Sequence, residues 1–147
     1  MESIVRHTYD AALKLQAPGS ANITTTTASS QVDIQKITKS VRGALAGRFG
    51  EGSFDVVFHV GALDRTTGDE TYVLTANTYD LNGVNPVTHF TRNVLIGDLG
   101  TTLTFKSDVK TLGLEDPAAV FFGLNLTLAG TTPILGYWAF VAPNLSN

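Results

Sequence analysis

The chain contains no cysteine, which removes disulfides, thiolate metal sites and thiol nucleophiles together and leaves the redox compartment unmarked. Charge is scarce as well: 16% of the 147 residues are Asp, Glu, Lys or Arg, and the formal net charge is -3. A domain that neutralises a run of phosphates carries a basic excess, so this balance argues against DNA or RNA as a partner. No apolar run approaches the ~20 residues of a membrane span, and the opening MESIVRHTYDAALKL mixes charges among its apolar positions, unlike a signal peptide. The expectation is a protein without membrane contact that stays in the cytoplasm where it is made, at least until assembly.

The signatures of chemistry are missing too. The three histidines, His7, His59 and His89, stand far apart in sequence, with no His-x-His or HExxH spacing and no G-x-S-x-G elbow around any serine. His59 and His89 read as sheet positions. Asp64, Asp69 and Glu70 are close enough in sequence to suggest a carboxylate pair, but they fall on a hairpin tip, where solvent leaves carboxylates ordinary and catalytic tuning difficult. Asp108, Glu115 and Asp116 could join carbonyl oxygens around a calcium ion, yet their spacing matches no EF-hand loop. No cofactor, metal or catalytic residue is assigned, and the expectation is a protein that is not an enzyme.

What is abundant is threonine, 20 residues of it, together with Val, Phe and Tyr, the types that suit a pleated, half-buried surface. In FDVVFHVGALD, Phe54, Val56, Phe58 and Val60 share one face and Asp55, Val57 and His59 the other. Tyr72, Leu74 and Ala76 alternate in the same way in TYVLTANTYD. Between these strands Gly68 supplies positive φ, and Asp64, Thr66, Thr67 and Asp69 can bond the local backbone, which makes a solvent-facing turn. Four further strands are expected at 87–96, 101–109, 120–128 and 134–142, separated by GDLG, KTLGLEDPA and AGTTP.

Before the first long strand the signals are weaker. A turn of helix is expected around Tyr9 to Leu15, APGS breaks the chain, and NITTTTASSQVDI reads as a polar edge or arm. In residues 35–49 the spacing of Ile37, Val41 and Leu45 is helical, but Gly43 and Gly47 each weaken a helix by about 1 kcal/mol, so an irregular connection is expected. Lys36, Lys39, Arg42 and Arg48 make it the one basic stretch, either a solvated loop or a contact for an acidic surface. The whole reads as an all-β domain, a jelly-roll-like sandwich or barrel over 23–147, with an extended N-terminal arm over 1–22. On the last strand Tyr137 faces away from Trp138 and Phe140; exposed aromatics there would suit glycans, buried ones a core or a subunit interface.

Three stretches carry a resemblance. Tyr9-Asp10-Ala11-Ala12-Leu13 leads into ANITTTTASSQVDI, VVFHVGALDRTTGDETYVL forms the middle hairpin, and NLTLAGTTPILGYWAFVAP closes the chain. In this layout the sequence resembles the capsid cement, or decoration, proteins of tailed bacteriophages. That resemblance implies a non-enzymatic jelly-roll-like domain on the outer surface of the virion, a homotrimer bridging major capsid proteins and stabilising the head. Ile4, Val5, Arg6, Tyr9, Leu13, Lys36, Lys39 and Arg42 are the expected contacts with coat protein or a neighbouring protomer. The alternatives are another virion component, such as a tail or minor head protein, and a glycan-binding β-sandwich module.

Overall fold

The structure is a computed structural model, and it describes residues 13–37 and 53–143. Among the described residues nine strands, all paired antiparallel, form two sheets: β1 (Lys14–Gln16), β2 (Thr27–Ala28), β3 (Val32–Asp33), β4 (Ser53–Leu63), β5 (Thr71–Tyr79), β6 (Val87–Asn93), β7 (Thr102–Asp108), β8 (Phe121–Ala129) and β9 (Leu135–Pro143). One sheet has the order β1-β9-β4-β7, and the other runs β2-β8-β5-β6 with β3 also on β8. The all-β sandwich expected from the alternating pattern is therefore the fold. The pairing is nested: β1 lies on β9, β2 and β3 on β8, β4 on β7, and β5 on β6.

The inward faces are the ones the period of two marks. Phe54, Val56, Phe58 and Val60 from β4 meet Tyr72, Leu74, Ala76, Phe122, Leu124 and Leu126 in one core. Phe54 meets Phe122 edge-on across the two sheets, with ring centroids 5.6 Å apart. Burying such a side chain is worth about 1.5–3 kcal/mol, so β4 alone supplies much of the cohesion between layers. On the opposite face of the first sheet Val57, Phe140 and Ala142 form a second, smaller apolar cluster with Trp138 against it.

The register sorts the connections into two ends. At one end lie residues 17–26, 64–70, 94–101 and 130–134; at the other lie the turn 80–86, the helical turn at 34–37 and a short helix, α1 (Val109–Glu115). Three expectations are corrected. Lys14–Gln16 is a strand rather than part of a helical turn, and it pairs with β9, so this part of the expected 1–22 arm lies on a sheet. KTLGLEDPA is not a plain turn: Asp108 accepts from the Lys110 amide at 2.7 Å and starts α1, whose Val109 and Leu112 are buried.

The third correction concerns the β4–β5 tip. Glu70 is 0% exposed, because its carboxylate accepts from the amides of Thr67 and Gly68 at 3.2 and 2.9 Å. Asp69 reaches across to Thr131, whose hydroxyl donates at 2.6 Å, and the Tyr72 hydroxyl donates to the Asp64 carbonyl while accepting from the Ile134 amide. The 64–70 and 130–134 turns are thus tied together. Gly130 makes the approach possible: its φ is +106°, and a Cβ there would stand 2.6 Å from the Glu70 Cα.

Candidate functional site

Among the described residues, a row of convergent polar side chains lies at the helix end. Its origin is a β-bulge. Ala76 pairs with Phe90 but Asn77 pairs with Thr88, so His89 is an extra residue on β6. A bulge re-aims a side chain, and here the His89 side chain is only 4% exposed although the strand lies at a sheet edge. Its partner strand is disturbed at the same place, where Ala76, Asn77, Thr78 and Tyr79 are buried in succession.

Four side chains then line up. Asp116 Oδ2 accepts from the Thr78 hydroxyl at 2.7 Å, Thr78 Oγ1 lies 2.6 Å from His89 Nε2, and His89 Nδ1 lies 2.9 Å from Glu115 Oε2. Asp116 also accepts from the Ala118 amide at 3.2 Å, and its own amide bonds the Leu112 carbonyl as α1 ends. Beside this row opens a cavity of about 590 Å³ that His89, Phe90, Lys106, Asp108, Leu112 and Glu115 help to line. Hydroxyl, imidazole and carboxylate in series resemble a nucleophile with its base and orienting acid. Thr78, however, is 0% exposed and its proton points to Asp116, so no substrate reaches the oxygen.

No protein-family model matches the chain, and no curated protein is found similar to it.

The residues singled out from sequence are distributed as follows. Leu13, just before β1, is 1% exposed and belongs to the core, so its side chain offers no surface to a partner. Lys36 is exposed on the helical turn after β3. Ile4, Val5, Arg6, Tyr9, Lys39 and Arg42 lie outside the described residues. Asp108 and Glu115 line the same cavity, and each of the three carboxylates has its own partner: the Lys110 amide for Asp108, His89 for Glu115 and Thr78 for Asp116. Among the described residues no group of three His, Asp or Glu side chains is placed to hold a metal ion.

The aromatics divide as the alternation of β9 requires. Tyr137 enters the core and stacks on Phe58 at 4.9 Å, and burial pushes its hydroxyl up to about 12. The Trp138 ring is near-parallel to those of His59, 5.0 Å away, and Phe140, 5.7 Å away, and it stays partly exposed.

The opposite end carries a different feature. In the β6–β7 loop Leu95, Ile96 and Leu99 are 54%, 52% and 43% exposed. The loop that presents them is ordered by Asp98, which accepts from the Leu95 amide at 2.8 Å and from Arg92 at 3.4 Å. Thr101 donates back to the Asp98 carbonyl at 2.6 Å. Sequence periodicity did not single these residues out, because isolated apolar residues next to glycines look like the end of a strand.

Proposed function

We propose that this protein is a structural binding protein of a virion, a capsid cement protein of the tailed-phage kind that bridges coat subunits and has no catalytic role. The observation that carries the binding reading is the β6–β7 loop. Leu95, Ile96 and Leu99 stay in water on a turn whose backbone is already ordered, so a partner that covers them gains apolar burial without ordering the loop. Rigid apolar groups of this kind are what interface centres use.

The identity of the partner rests on the sequence resemblance, and the strand order supports it. With β2 and β3 taken as one interrupted strand, the nested pairs form eight strands in two facing sheets, which we read as a jelly roll, an architecture that viral capsid domains use. The same architecture serves lectins, and it is the sequence resemblance that favours the virion reading. A homotrimer would multiply three modest loop contacts into tight attachment, since the second and third form intramolecularly.

The test is cosedimentation with expanded tailed-phage heads stripped of decoration protein, comparing the wild type with a variant carrying Leu95→Ser, Ile96→Ser and Leu99→Ser. The wild type should sediment with heads and the variant should bind at least tenfold more weakly, with circular dichroism and Tm unchanged. Equal binding by the folded variant removes the loop from the interface. Failure of the wild type to bind any head removes the cement reading.

A further inference from the structure

The loop that presents Leu95 borders a hollow. A cavity of about 290 Å³ opens between the β4–β5 tip and the β6–β7 loop, with Arg65, Glu70, Tyr72, Val73, Val94 and Leu95 in its lining. Tyr72 and Val94 are buried, and the Val94 amide donates to the Tyr72 carbonyl at 2.9 Å, so this part of the wall is fixed. The volume sits at the lower bound of about 300 Å³ for small-molecule sites. Because exposed Leu95 forms part of the wall, a side chain that belongs to a covering surface suits the cavity better than a free ligand.

The charges around the cavity are matched, with one exception. Glu70 accepts from the Thr67 and Gly68 amides, Asp64 from Thr66, Asp69 from Thr131, and Asp98 from Leu95 and Arg92. Arg65 is exposed and makes a single hydrogen bond with the described residues, to the Gly68 carbonyl at 3.3 Å. Most of its guanidinium donors are left to water. The charge that the wall offers to a newcomer is therefore a cation.

We propose that this cavity is the selective pocket of the docking loop: it takes an apolar side chain of the partner, and Arg65 takes a single carboxylate next to that side chain in the partner's sequence. The inference rests on reading the β6–β7 loop as a binding surface. An ion pair in open water gains little. Here the apolar side chain that fills the cavity also shields Arg65 from water, and a guanidinium covered in this way pairs with a carboxylate through parallel hydrogen bonds. The acid is single because Asp64, Asp69, Glu70 and Asp98 share this end of the sandwich with Arg65 and Arg92, so a polyacidic segment or a phosphate dianion would be repelled. A lysine in the same place would set two cations face to face.

The experiment is an NMR titration of the isotope-labelled full chain with three capped hexapeptides of Gly and Ser that differ at their centre: Phe-Glu, Phe-Lys or Ser-Glu. Phe-Glu should shift the Arg65 side-chain N–H and the Val73 and Leu95 amides, and should bind about threefold more tightly than either of the others. Arg65→Ala should abolish the preference for Phe-Glu over Phe-Lys with Tm unchanged, and Arg65→Lys, which keeps the charge without the planar fork, should retain part of it.

Phe-Lys binding as tightly as Phe-Glu overturns the carboxylate, and Ser-Glu binding as tightly overturns the apolar pocket. No shift at Arg65 and Leu95 at about 10 mM peptide overturns both. The wild-type ranking of the peptides decides even if R65A does not fold. The titration needs no heads, so the two readings fail separately. A chain that binds heads and ignores the peptides overturns the pocket and keeps the cement reading; one that prefers Phe-Glu and binds no head keeps the pocket and overturns the cement reading.

Discussion

At the scale of single residues, the β4–β5 tip shows how far a polar turn can be structural. The Asp64 carboxyl is held below the ordinary carboxylate range chiefly by the Thr66 hydroxyl, Asp69 by Thr131, and Asp80 by Asn85. For Glu70 desolvation is the largest single influence and pushes upward, but bonds from its own amide, Thr67 and Gly68 together bring it lower. Groups shifted this way add stability that is complete above about pH 4.3 and lost as pH falls through the lowered values. Acid unfolding should start less steeply in Asp69→Asn than in the wild type, as followed by circular dichroism between pH 5 and pH 2. Glu70→Ala should lower Tm more than Asp64→Ala, because only Glu70 is fully enclosed; equal effects would mean the tip is solvent-facing after all. Gly130→Ala must both adopt φ +106° and push back the Glu70 backbone, so a loss of about 1–3 kcal/mol is expected from strain alone, measurable by urea denaturation.

At the scale of elements, legibility depended on whether the period of two survived. Where it did, in β4, β5 and β9, Phe58, Leu74 and Tyr137 could be placed on one face of their strands from sequence, and the structure made that face the core. Where a bulge interrupted it, in β6, His89 looked like any strand residue, because a bulge is a property of pairing with β5 and leaves no mark in the strand's own composition. α1 was hidden by its length: seven residues with Gly113 inside carry too little periodicity to outweigh a turn reading. Its cap is testable, and Asp108→Ala should cost about 0.5–2 kcal/mol. Removing residues 2–16 would extract Leu13 and Leu15 from the core together with β1. Such a deletion should lower Tm sharply, whereas ending the deletion at residue 12 spares that strand and makes a cleaner probe of what the preceding segment contributes to the proposed capsid binding.

At the scale of the whole molecule, the sandwich is held by contacts between its layers. Phe54→Ala should cost about 3–5 kcal/mol, which for a chain of this size corresponds to roughly 10 °C in Tm. The cement reading makes a separate prediction about mass. Light scattering on a sizing column should give about three times 15.6 kDa for the free protein or, if trimers form only on the shell, three copies at each occupied position in decorated heads. A stoichiometry other than three in both would remove the trimer from the proposal.

The sequence by itself determined the class of fold and which residues share a strand face, since side-chain alternation and turn chemistry are local properties that a single chain displays. It also carried the resemblance on which the identity of the partner rests. Only the tertiary structure decided which polar residues meet. Asp116 lies 38 residues from Thr78, Glu115 lies 26 from His89, and Thr131 lies 62 from Asp69. Strand order and register set those meetings, and both follow from how two sheets close over a shared core, a choice no segment makes alone.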